Sequence, residues 1–333
     1  MARTATSHSP ASRWLDRDLG LLLLLGGVWG AAFPIIRLGL LAGASPLPFA
    51  AIRMVLASAT VALVAAASRE RLPSWRALGL SALWGGGFMV GGYAGLLYWG
   101  EATTPGGLSA VLIASVPLWS AIVAYYLLPA ERFRRIGTAG IIIGFGGVTL
   151  LFLPDLLAKG IGTVEGPLAV VGAALFAAAG SVLLRRTLTT PQGLWTLAAQ
   201  FATGGAILAV ASLGTGVPLT LPWNDNVLLS LAYLVGISSV LGYWIYYRLH
   251  HRVGPARANV VTYVNPVAGI LVGALLLGEG VGVFEAAGFV VILLGLFLLQ
   301  RDRLRGRPGS TEGTDAAGGR GDRPANVGTS TDR

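Results

Sequence analysis

Cysteine is absent from the 333 residues, which removes disulfides, thiolate nucleophiles and Cys-based zinc or iron-sulfur sites from consideration. Charge is scarce as well. Only 12% of the residues are Asp, Glu, Lys or Arg, against about a quarter in ordinary soluble domains. The three histidines, His8, His250 and His251, lie outside the long apolar runs, so a histidine-bound metal within a bilayer is not expected. Neither Gly-x-Ser-x-Gly nor His-Glu-x-x-His nor a phosphate-cradling glycine loop with its lysine occurs. No familiar enzyme chemistry and no cofactor are expected.

What the chain has instead is apolar surface. Hydrophobic residues make up 54% of it, and the mean hydropathy is +0.70. A soluble fold does not hide that much. Uncharged runs long enough to cross a bilayer, about 17 to 25 residues, number ten: 19–41, 46–67, 77–99, 106–128, 136–153, 166–184, 194–213, 227–247, 256–277 and 283–299. The fifth and tenth are the shortest. Membrane strands would alternate apolar and polar residues over about ten positions, whereas these runs are apolar on every face. The expected fold class is therefore an all-α integral membrane protein with ten transmembrane helices. Glycine is abundant, at 48 residues, and small residues let membrane helices pack closely. Gly87, Gly91 and Gly95, four apart, predict a smooth contact stripe on the third helix.

The basic amino terminus and first run do not fit a signal peptide, whose apolar core is only 7 to 15 residues. Residues 1–18 read as a cytoplasmic segment and 300–333, polar and without apolar period, as a disordered tail. Lys and Arg favour cytoplasmic loops. With the amino terminus inside, all of the 24 basic residues fall on the cytoplasmic side except Lys159 in an external loop and Arg37 and Arg53 within helices. The positive net charge of +9 thus reads as topology and contact with membrane lipids, not as nucleic-acid binding.

The two halves repeat. Displaced by 149 residues, Tyr98 falls on Tyr247 and Pro117 on Pro266; displaced by 148, Glu131 falls on Glu279, Gly140 on Gly288 and Gly147 on Gly295. A weaker match displaced by 147 sets Arg53 on Gln200. Five helices per unit is odd, so the second copy enters the membrane inverted, giving units at 19–153 and 166–299. The fourth helix ends in V-P-L-W-S-A-I-V-A-Y-Y-L-L-P-A-E-R, the ninth in N-P-V-A-G-I-L-V-G-A-L-L-L-G-E, and the first contains W-G-A-A-F-P. In these segments the chain resembles the drug/metabolite transporter superfamily, specifically its EamA-type branch. The resemblance spans roughly residues 19–299 and implies ten helices in two inverted halves around a central cavity, with metabolite export common among members. The first copy departs by one extra residue and a second proline, Pro129, and the second by Glu279-Gly280 where Glu-Arg is usual.

Several polar side chains are candidates for the solute path. Arg53 is the most unusual, because a charge in a membrane helix costs on the order of 2.5 to 3.5 kcal/mol at the centre. It stands about 10 Å into its helix at 1.5 Å per residue, so it either serves a solute or snorkels to headgroups. Trp29, Trp84, Tyr93, Gln200, Tyr243, Asn259, Tyr263 and Asn265 complete the candidate substrate-binding set, with Tyr233 and Trp244 as further aromatics; such a set suits a neutral or zwitterionic organic solute with an apolar part. Pro117 and Pro266 remove backbone hydrogen bonds in mid-helix, either as packing kinks or as breaks that line a cavity. Glu131 and Glu279 precede the fifth and tenth helices, where a carboxylate favours the helix dipole; gating is the alternative. All 15 acidic residues fall in tails, loops or helix ends, which argues against a carboxylate relay at mid-membrane.

These features point to a secondary transporter exporting a small organic metabolite, an amino acid or similar, across the plasma membrane. A scaffold without transport, an intramembrane enzyme and an importer of a related solute are the competing readings. The loop charges give the first testable expectation: single cysteines near Gly43 and Gly214 react with an impermeant thiol reagent added outside, and ones near Ser74 and Thr189 do not. The reverse labelling pattern overturns the orientation.

Overall fold

The computed structural model describes residues 10–128, 135–159, 164–188, 193–253, 261–280 and 282–305. Among them the chain is helical, with no strand, as its uniform apolar runs require. Hydrocarbon offers no partner to a free backbone group, so each span satisfies its own. Grouped by continuity, the helices are α1 (Pro10–Leu41), α2 (Pro46–Ala67), α3 (Trp75–Glu101), α4 (Gly106–Leu127), α5 (Arg135–Lys159), α6 (Glu165–Thr187), α7 (Leu194–Gly214), α8 (225–253), α9 (Val261–Leu277) and α10 (Val283–Arg305). Eight carry stretches long and apolar enough to cross a membrane; the apolar stretches of α5 and α9 are shorter. The apolar stretch of α10 is, as expected, the shortest of the eight, although the helix itself continues to Arg305. Large apolar side chains stand outward, including Ile142, Val210, Leu275 and Phe297, as a lipid-facing surface requires.

Two helices depart from α geometry in the same way. The middle of α3 (Ser81–Gly92) and of α8 (Tyr233–Leu241) is π-helical. At their ends the Tyr93 N–H donates to the Phe88 carbonyl and the Gly242 N–H to the Ile237 carbonyl, each five residues back. This wider turn upsets the expected four-residue stripe on α3. A Cβ on Gly91 or Gly95 would touch Ile207 or Leu208 of α7, but one on Gly87 would meet nothing. Gly85 and Gly86 take its place, against Gln200 and Thr203, and Gly92 turns to Phe176 of α6.

The most extensive helix pairings follow one rule, while lesser ones, such as α1 on α4, are not matched to the same extent. α1 packs on α9 and α6 on α4; α3 packs on α6 and α7, while α8 packs on α1 and α2; α2 pairs with α7 and α5 with α10. Exchanging helix n with n+5 converts this set into itself. The α5–α10 contact is the most extensive. A Cβ on Gly140 would lie 2.7 Å from the Gly295 carbonyl oxygen, and one on Gly147 would lie 2.8 Å from that of Gly288. Sequence matching equates Gly140 with Gly288 and Gly147 with Gly295, so matched glycines trade partners, as two copies of one surface do across a twofold axis.

Packing this tight is a testable constraint. Gly147→Ala and Gly295→Ala force backbone apart and are expected to cost about 1 to 3 kcal/mol each, seen as lower melting temperature and monodisperse yield in detergent. Gly87→Ala and Gly146→Ala, which meet nothing within 4 Å, leave both unchanged or slightly raised.

Candidate functional site

The π-helical stretches of α3 and α8 end where two candidate tyrosines begin. Tyr93 is the first residue after one and Tyr243 the second after the other, and π segments inside α-helices are frequent at functional sites. Tyr243 is the hub of an aromatic group. Its ring lies 5.4 Å from Trp29 of α1 and 5.7 Å from Phe201 of α7, both edge-on. The Trp29 indole N–H donates to the Ser238 carbonyl at 3.1 Å. The Tyr233 hydroxyl donates in turn to the Val28 carbonyl of α1, at 3.0 Å. These two bonds tie α1 to the irregular part of α8.

Arg53 faces into this region. Its Nη1 donates to the Tyr98 hydroxyl at 2.9 Å, and its guanidinium lies 5.9 Å from the Tyr98 ring centre. Tyr98 has 0% of its surface exposed, so the guanidinium points into the bundle and does not snorkel to headgroups. The Arg53 Nε is buried and without an acceptor. Phe49 of α2 supports Tyr98 edge-on at 5.5 Å.

One turn further along α3 stands Glu101, also 0% exposed. Neither of its carboxylate oxygens makes a hydrogen bond of good geometry among the described residues; the Ser109 hydroxyl of α4 lies beside it, and Arg37, Arg53 and Glu279 are within electrostatic range. Arg37 of α1 is not a free charge either: its guanidinium donates to the backbone carbonyls of Glu101 and Ala102 and so neutralises the carbonyl end of α3. An unsatisfied buried polar group costs about 1 to 3 kcal/mol, more if charged. Arg53 Nε and Glu101 are two such groups of opposite sign.

Glu279 reaches across the bundle. Its two carboxylate oxygens accept from the Gly106 and Gly107 N–H groups at 2.8 and 2.9 Å, capping α4. The sequence expectation placed it at the start of α10; it does favour a helix dipole, but that of another helix. Gly278, at φ +64, turns the chain sharply enough after α9 to bring it there. A shallow, partly open cleft adjoins this cap, lined by Pro105, Gly107, Val111, Ile270, Glu279 and Glu285. It flanks the end of the bundle that holds Glu101 and is distinct from the aromatic group.

The other candidates are placed elsewhere. Gln200 donates to the Ser81 hydroxyl at 2.8 Å between α7 and α3, and Trp84 packs on Phe88, 5.7 Å between rings. Tyr263 bonds with Gln300 of α10. Asn265 keeps a buried, unpartnered side-chain oxygen next to Pro266, where α9 passes Gly30 of α1. Trp244 is an exposed platform for Arg248, 5.2 Å away. Pro266 lies within α9, whereas Pro117 starts the second half of α4 after a break at Ala114–Ser115. Glu131 and Asn259 lie outside the described residues. No three His, Asp or Glu side chains converge to hold a metal among the described residues. The sequence offers Glu101 only as a carboxylate at a cavity mouth and gives Tyr98 no role in the site; their three-residue spacing, which puts both on one helix face, is the available signal.

Comparison with known proteins agrees with this architecture. The EamA-like transporter family matches residues 19–153 and 164–301. The chain is 29% identical to an uncharacterized inner membrane transporter of Escherichia coli K12, YedA, over 84% of its own length and 89% of the relative's. It is 26% identical to a probable amino-acid metabolite efflux pump of Salmonella typhimurium (85% and 94% covered). Identity is also 26% to a probable terminal-alkyne amino-acid exporter of Streptantibioticus cattleyicolor (90% and 99%). A solved crystal structure shares the fold at a TM-score of 0.55 and 20% identity, covering 85% of this chain and 98% of the other. With two matched segments that together span most of the chain, and apolar helices throughout, this multi-pass membrane protein belongs to the EamA-like transporter family.

Proposed function

We propose that the protein is a secondary transporter that exports a small organic solute, an amino acid or close relative with an apolar side chain. One observation carries this reading: the inward-facing Arg53 guanidinium on Tyr98, beside the aromatic group around Tyr243. A planar guanidinium takes a carboxylate through two parallel hydrogen bonds, and the rings of Trp29, Tyr93 and Tyr243 offer an apolar wall for the rest of the molecule. The names of the Salmonella and Streptantibioticus relatives support export and amino-acid chemistry.

The mechanism that fits is alternating access between inverted units α1–α5 and α6–α10 in a ten-span bundle, with both termini cytoplasmic in the plasma membrane. The exchange of helix pairings and of matched glycines supports the inversion. Arg53 and Glu101 then occupy the outer half of the bundle. The break before Pro117 in α4 and Pro266 within the continuous α9 supply the hinges, and the Glu279 cap on α4 is an outer latch that opens when α4 and α9 part. Glu131 holds the matching place in the first unit, for an inner latch.

Growth protection tests the solute class: overexpression raises tolerance to toxic analogues of apolar amino acids, and unchanged tolerance across an amino-acid panel overturns it. Arg53→Ala, at unchanged membrane level, lowers efflux about tenfold or more, the loss of one charge-assisted contact. Arg53→Lys falls between, keeping charge without the planar fork. Normal efflux by Arg53→Ala removes Arg53 from the solute path.

A further inference from the structure

Two buried groups in the site carry opposite and unanswered demands. Arg53 spends Nη1 on Tyr98, and its Nε has no acceptor. Glu101, wholly buried, has two oxygens without well-formed hydrogen bonds. Tyr98 and Glu101 are three residues apart on one helix face, where Cβ atoms are roughly 5 to 6 Å apart, and Tyr98 holds the guanidinium. The cation and the anion are within electrostatic range, but no ion pair joins them among the described residues. A buried carboxylate and a guanidinium with a buried, unpartnered Nε that do not pair present complementary demands, which a ligand carrying both charges would meet together.

We propose that Glu101 is the ammonium subsite of the solute path, so that the solute is carried as a zwitterion with its carboxylate on Arg53 and its ammonium on Glu101. The assignment rests on the reading of Arg53 given above and extends it to the second charge. An ammonium has three donors and no acceptor. Glu101 supplies two oxygens, and the Ser109 hydroxyl, itself buried without a well-formed bond, supplies a third acceptor. The neighbouring charges do not compete for this place. Arg37 is held by backbone carbonyls and Glu279 by the α4 cap. A proton on Glu101 would answer the carboxylate alone and leave the Arg53 Nε unpaired, whereas a zwitterion answers both.

Three probes separate the two subsites: L-phenylalanine, its des-amino analogue 3-phenylpropanoate and its decarboxylated analogue 2-phenylethylamine. Equilibrium dialysis of the purified full-length protein with each labelled probe gives ratios of affinity that do not depend on how much protein folds. The wild-type protein prefers phenylalanine to both analogues. In Glu101→Gln the preference for phenylalanine over 3-phenylpropanoate falls on the order of ten- to a hundredfold, the range of a charge-assisted hydrogen bond, and Glu101→Asp retains part of it. In Arg53→Gln the preference for phenylalanine over 2-phenylethylamine falls similarly. An unchanged ratio in Glu101→Gln overturns the proposal. So does an equal loss for phenylalanine and 3-phenylpropanoate, the mark of a structural or proton-binding carboxylate. If the wild-type protein binds none of the three, the amino-acid reading itself fails, and this assignment with it.

Discussion

Helix ends are the expensive points of a membrane protein, because their last backbone groups lack partners within the helix and hydrocarbon supplies none. Here side chains from other helices meet that demand. Glu279 caps α4, Arg37 closes the carbonyl end of α3, and Glu70, after α2, accepts from the Leu194 N–H at the start of α7 at 2.9 Å. The Trp195 indole donates back to the Glu70 carbonyl at 3.1 Å. The Glu279 and Glu70 contacts each join the first half of the chain to the second. A movement that separates the halves must break such a cap, so the connections that stabilise the bundle also decide where it opens.

The same economy explains why Arg37 and Arg53, the two arginines that the sequence places inside helices, behave differently. Arg37 lies near the end of α1 and finds carbonyl dipoles at the end of α3. Arg53, deeper in α2, finds only a tyrosine hydroxyl and a ring face. A cation satisfied by backbone is structural; one offered a single neutral partner keeps donors in reserve.

Much of the architecture was legible in the sequence because hydrocarbon imposes a crude rule: long uncharged runs become helices, and the runs ending in Glu131 and Glu279 betray a repeat. The path of Glu279 was not legible, since proximity in sequence to α10 says nothing of the helix that α9 delivers it to. Nor was the burial of Glu101. Counting carboxylates at helix ends treats each end as wet, yet Arg37, Ser109 and the start of α4 close over this one. The π-helical stretches defeated the glycine stripe for a similar reason: periodicity assumes a constant pitch, and Gly87 lost its neighbour where the pitch changed. Arg53 was readable as an anomaly, but its direction needed Tyr98.

The π-helical stretches also bear on how this chain tolerates change in length. Removing one residue from a regular membrane helix turns everything beyond it by about 100° and carries buried side chains to the lipid. A segment bonded five residues back already holds more chain per turn than the α ladder needs. Within Ser81–Gly92 and Tyr233–Leu241, a deletion can be absorbed by tightening the ladder, so these are the places where α3 and α8 can shed a residue while Tyr93 and Tyr243 keep their facing.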